Sequence, residues 1–266
     1  MKSIYLIILF IVINTAICCG QIAHQKFRYI VDCKQLSLIN LKTNLSQYDF
    51  SKLFTQTDNS EVYGFIGKNY NRLRVKIITI TKDTLNSNIY NVYGKSMVND
   101  NINIFHGYIK ISKILKLRVI KHGCENDSLY QGYRGEFSII GSYYFPENIE
   151  QNHTGIFKGS FRSDYFIDKH NHIQYDHIED CSDGYTNNQF IGQWISNKTK
   201  IAKKCNWGDY RVPESGDLDI GAGEFSPNDK YLKFGWQSTR DVMVQSNTNL
   251  KKSKQIEEKK WWNKFQ

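Results

Sequence analysis

By residue type, the chemistry in this chain is densest between Phe166 and Tyr185, in FIDKHNHIQYDHIEDCSDGY. Three of the seven histidines, His170, His172 and His177, stand there among acids and beside Cys181. On an extended strand His170 and His172 share one face, and His177 takes the other. Two such imidazoles, joined by a carboxylate from elsewhere, are ligands that zinc or copper accepts. The flanking residues argue for a turn instead. SDYFI before and HIQYD after both alternate, and Asp168-Lys-His-Asn171 puts an acid at the first turn position and Asn where φ can turn positive. A hairpin tip at His170 removes it from the pleat of His172, so no metal is assigned. Glu179, Asp180 and Asp183 follow. Close carboxylates can act as acid and base, but in a Ser/Asp/Gly cluster these read as a solvated loop.

A second region, CNWGDYRVPESGDLDIGAGEFSPND from Cys205 to Asp229, is the densest run of turn formers and holds two of the three prolines. Asp217, Asp219 and Glu224 suggest calcium coordination. Counted from Asp217, however, position 5 is Gly221, position 6 is Ala222 and Glu224 falls at position 8, so the EF-hand pattern fails. Trp207, Tyr210 and Arg211 are residue types that dominate binding hot spots, and with Asp209 among them they form the candidate surface for a partner or ligand. The competing expectation has Trp207 closing an end of the fold while Arg211 pairs with Asp209 or Glu214. The sequence contains no nucleophile elbow, HExxH, P-loop or GxGxxG, so no catalytic residue and no cofactor is assigned. Carboxylate hydrolases assemble their acids from distant strands and leave no such signature.

What must position these residues is strand. LRVKIITIT (73–81) alternates through Leu73, Val75, Ile77, Thr79 and Thr81, and FHGYIKISKILKLRV puts Phe105, Ile109 and Ile111 on one parity. NIYNVYGKSMV, GEFSIIGSYYF, GIFKGSFRSDYFID and NNQFIGQWISN behave alike. Period-2 runs of β-branched and aromatic residues, broken by Asn, Asp and Gly, are strands. Their spacing leaves no room for crossover helices, which predicts a mainly antiparallel sheet. Phe105-His-Gly-Tyr-Ile109, Phe157-Lys-Gly-Ser-Phe161 and Phe190-Ile-Gly-Gln-Trp194 each centre a glycine between two large apolar residues, as coiled strands need. The expected fold class is all-β, barrel-like or strongly rolled, with minor helix at the C-terminus. Residues 21–250 read as one domain and 251–266 as a basic amphipathic tail. A first strand at Phe27–Val31 and a helical turn near Tyr48–Phe54 are expected before the main sheet.

Lys2, the apolar run Ile4 to Ile13 and small residues up to Gly20 read as a signal peptide cleaved near Gly20. Lipidation at Cys18 or Cys19 is the competing reading. Export predicts oxidation of Cys33, Cys124, Cys181 and Cys205, in two disulfides of open pairing. Losing Lys2 with the leader takes the formal charge from +9 to +8. The basic residues are scattered, which excludes a nucleic-acid groove. Membrane contact is expected only through the C-terminal tail or N-terminal lipidation.

The segments GIFKGSF, YFIDKHNHIQYD, SDGYTNNQFIGQW, CNWGDYR and GDLDIGAGEF, with VYGFIGKNY and NVYGKSMV before them, resemble a group of uncharacterised secreted bacterial β-rich proteins. The resemblance covers most of the chain and implies a bacterial exported protein, with no activity to carry over. The sequence thus predicts an exported, secreted or periplasmic, non-catalytic barrel-like protein that binds a ligand or a protein partner at the cell envelope. An inhibitor or immunity-type protein, and a carboxylate-dependent hydrolase of envelope polymers, are the alternatives.

Overall fold

The computed structural model describes residues 35–119, 121–124, 131–244 and 248–263. The expected leader, the strand at Phe27–Val31 and Cys33 lie outside the described residues. Ten strands follow in order: β1 (Leu36–Asn40), β2 (Val62–Ile66), β3 (Asn71–Lys82), β4 (Ile89–Val98), β5 (Asn101–Leu117), β6 (Gly135–Pro146), β7 (Gly155–Ile167), β8 (Ile173–Tyr175), β9 (Asn187–Ser196) and β10 (Ala202–Asp209). Every pairing is antiparallel. Eight strands form a closed circuit in the order β5-β4-β3-β2-β10-β9-β7-β6, and β6 pairs back to β5. The sheet is therefore ring-like and mainly antiparallel. Helix is minor: α1 (Lys42–Leu45), α2 (Gln237–Met243) and α3 (Leu250–Glu257). Among the described residues no helix is long and apolar enough to cross a membrane.

Alternation decides which residues enter the ring. Leu73, Val75 and Ile77 on β3, and Phe105, Ile109 and Ile111 on β5, are buried in the main core as their shared parity predicts. The alternation does not run through to Thr79 and Thr81. A β-bulge between Ile77 and Thr79 shifts the register, so Ile80 is buried and Thr79 is exposed. An extra residue on one strand is how a strongly coiled strand turns a corner.

Close approach of strands explains two of the glycine-centred motifs. Gly159 on β7 faces Gly192 on β9. A Cβ on Gly159 would stand 2.7 Å from the Gly192 Cα, and one on Gly192 would stand 2.5 Å from the Tyr143 hydroxyl. The large residues flanking these glycines (Phe157, Phe161, Phe190) fill the core.

One end of the ring is plugged by the 3₁₀ turn Ser51–Phe54, close to where a helical turn is expected. Phe50 packs on Tyr165 at 5.1 Å between ring centroids, and Phe54 on Phe161 at 5.6 Å. The outer face of β2 and β3 is covered by the chain after β10. Tyr63, Phe65, Val212, Leu218, Phe225 and Trp236 form a second apolar cluster there. In α3 the amphipathic pattern is inverted. Glu257 is buried while Ile256 is 43% exposed, because Arg72 and Arg74 point outward from β3 and bind Glu257 at 3.3 and 2.8 Å. Trp261 is buried at the end of this layer.

A cavity at the open mouth as candidate functional site

The end of the ring opposite the plug is open. Hairpins β2–β3, β4–β5, β6–β7 and β9–β10 surround it, and between them lies a cavity of about 980 Å³. Small-molecule sites commonly fall near this size, with mostly apolar walls and a few convergent polar groups. Its apolar surface comes from strand residues near that end, including Ile66 on β2, Val98 on β4, Phe157 on β7 and Trp194 on β9. They meet only because the sheet closes.

The polar centre of the cavity is Glu147, the residue after β6 and almost fully buried. Its carboxylate accepts the Trp194 indole N–H at 2.9 Å and the Gly155 backbone N–H at 2.7 Å. It also accepts the Ser96 hydroxyl and a side-chain hydrogen bond from Asn103. Burial raises the Glu147 pKa above the ordinary carboxylate value, and the bonds from Ser96, Trp194 and Gly155 oppose the shift. A carboxylate offers about four acceptor sites, so these donors saturate it. Glu147 therefore orients Trp194 and Ser96 and keeps no lone pair for a reacting water. It is the only carboxylate among the described residues that line the cavity.

The mouth carries the opposite charge. Lys68, Lys203 and Lys204 line it from the β2–β3 turn and the start of β10. The Lys203 stem crosses Gly67, with Cδ 3.8 Å from where a Gly67 Cβ would be, and its ammonium lies 5.4 Å from the Trp194 ring centroid. Lys204 pairs with Glu214 at 3.1 Å. Asn99, Asn101 and His153 occupy the facing side of the rim.

The residues singled out from sequence lie elsewhere. Trp207 is 3% exposed, stacked on Phe190 at 4.8 Å and edge-on to Tyr143 at 5.0 Å. Asp209 is 4% exposed near the plugged end. Its Oδ2 accepts from Thr57 at 2.7 Å, Tyr175 at 2.8 Å and Asn188 at 2.7 Å, and burial raises its pKa to about 6. Trp207 and Asp209 share the inward parity of Cys205, so neither contributes to an exposed surface. Tyr210 and Arg211 are half-buried. Arg211 pairs with neither Asp209 nor Glu214. It binds Asp219 at 2.7 Å and the carbonyls of Gly221 and Gly223 at 2.8 and 3.0 Å, clamping the loop that looked like a calcium site.

Asp168 to His172 form the expected hairpin tip. Asp168 Oδ1 accepts from the backbone N–H groups of His170 and His172, and Asn171 takes φ 68°. Cys181, just beyond, is bonded to Cys124, while Cys205 is a buried thiol on β10. Cys124, Asp180 and Cys181 are the one grouping with metal-ligand spacing among the described residues, and the disulfide occupies both sulfurs.

No family model, curated protein or solved structure matches this chain. The cavity has to be read from its own chemistry. Sequence reasoning met Phe157 and Trp194 only as flanks of glycine motifs and passed over Glu147, Ser96 and Lys203. The one local hint was that Ser96 and Glu147 are polar residues in or beside strands rich in apolar residues.

Proposed function

We propose that this is an exported, non-catalytic ligand-binding protein that holds a small molecule in the open mouth of its ring-like sheet. The observation that carries this reading is the cavity: about 980 Å³, open at one end, with an aromatic plug across the opposite end of the ring. A rigid sheet presents the wall residues, and Glu147 fixes the Trp194 indole from behind, so the site is largely preformed. Preorganisation limits the entropy lost on binding. Export is supported by the apolar Ile4 to Ile13 run after Lys2 and by the Cys124–Cys181 bond, which belongs in an oxidising compartment.

The test is titration with the environment-sensitive dye 1-anilinonaphthalene-8-sulfonate. One saturable site per chain is expected. Val98→Trp, which fills the mouth from a half-buried rim position, should remove it without lowering the unfolding midpoint. Dye binding that persists undiminished in V98W, or the lack of a saturable site, overturns the proposal.

A further inference from the structure

We infer that the ligand is a single-chain amphiphile with an anionic head, bound tail first, with the head at Lys68 and Lys203; this rests on the cavity being a ligand site. The charged groups that line the cavity differ in burial: its acid is buried and its lysines are exposed. Among the described residues that line it, the one buried charged group is an acid, Glu147, and its acceptor sites are filled by Ser96, Trp194, Gly155 and Asn103. A ligand anion placed there would meet a carboxylate in a low-dielectric surround and find no donor to spare, an arrangement that repels it. The wall beside Glu147 is Phe157, Trp194, Ile66 and Val98, which suits an aliphatic chain.

The mouth reverses every one of these conditions. Lys68 and Lys203 are exposed, and among the described residues neither has an acid partner. Lys204 is partly neutralised by Glu214. Asp100, at the tip of the facing hairpin, does not line the cavity. The Lys203 stem lies along Gly67 and over Trp194, so its ammonium sits directly above the apolar wall. Long lysine stems cover apolar surface while the charged head stays in water, which here leaves the Lys203 ammonium beside Trp194 and Lys68 exposed on the same side of the lining. Carboxylate and phosphate heads share this chemistry, and the asparagines around the rim can donate to either.

The deciding experiment is calorimetric titration of the whole protein with three ligands of equal chain length, palmitate, hexadecyl phosphate and hexadecanol. An anionic amphiphile should bind about fivefold more tightly than hexadecanol, since two exposed ion pairs contribute modestly each. The advantage should shrink as salt rises. In the Lys68→Met/Lys203→Met double variant it should vanish, with hexadecanol affinity unchanged. Palmitate binding against hexadecyl phosphate binding separates a fatty-acid source from a phospholipid-derived one. Equal affinity for acids and alcohol in the wild type overturns the head-group assignment while leaving the cavity intact. If none of the three binds although the dye does, the amphiphile assignment falls. Only loss of dye binding as well would count against the cavity itself.

Discussion

The carboxylate of Glu147 and the indole N–H of Trp194 meet at 2.9 Å, joining the end of β6 to β9 inside the ring. The bond sets the face that Trp194 turns to the cavity. Glu147→Ala should strand the Trp194, Ser96 and Gly155 donors in a buried place and destabilise the protein by about 2–4 kcal/mol. Glu147→Gln keeps the shape and one acceptor oxygen, so it should lose less. Denaturant unfolding of both variants measures this, and equal losses would remove the hydrogen-bonding argument.

Asp209 should make stability fall as pH rises from about 4 to about 6. Its folded pKa is raised to about 6 by burial, so folding favours the protonated form. That contribution is complete below the ordinary carboxylate value and is lost as pH passes the folded one. Asp209→Asn should therefore gain on the wild type by up to about 2–3 kcal/mol between pH 4 and pH 7. Parallel pH–stability curves for the two proteins would contradict the assignment.

Glu257 is the single carboxylate on both Arg72 and Arg74, each of them almost fully buried. Glu257→Ala leaves two uncompensated guanidinium groups under the C-terminal layer. A loss of about 3–5 kcal/mol is expected, as for breaking a buried pair from one side. Hydrogen exchange should show α2 and α3 losing protection before the ring. Uniform loss across the ring would mean that the layer is not a separate unit.

The Cys124–Cys181 bond closes a loop with a sequence separation of 57 residues. Cys124→Ser/Cys181→Ser should cost about 2–4 kcal/mol by the chain-entropy argument. Lys121, which binds Asp176 at 2.7 Å and Glu136 at 3.3 Å, should become more mobile in that variant. Unchanged unfolding under reducing conditions would show that the loop is held without the disulfide.

Much of the fold was legible in the residues. Strands β3 to β7 and β9 followed from alternation and the hairpin at Asp168 from its turn chemistry, whereas the glycine motifs did not say that β7 and β9 would be the strands that touch. The candidate surface at Trp207 was misplaced for a definable reason. Its neighbourhood is rich in turn formers, yet Cys205, Trp207 and Asp209 alternate with Asn206 and Gly208. The strand period should have outweighed the loop composition. Arg211 was expected to find an acid two or three residues away. It instead found Asp219 across a folded-back loop, a separation that spacing alone does not suggest.

By itself the sequence determined the antiparallel habit and, as far as the β-bulges, the inward set of side chains on the alternating strands, because the pleat is a local property with period two. It could not determine the cavity. Phe157, Trp194, Ser96, Glu147 and Lys203 come from five different stretches. They share one mouth only because β5 pairs with both β4 and β6 while β2 pairs with β10. That long-range closure also chose the buried side of α3. Two outward arginines on β3 needed one acid, so Glu257 turned in and Ile256 turned out. Local periodicity reports which side chains can point together; ring closure decides which of them meet.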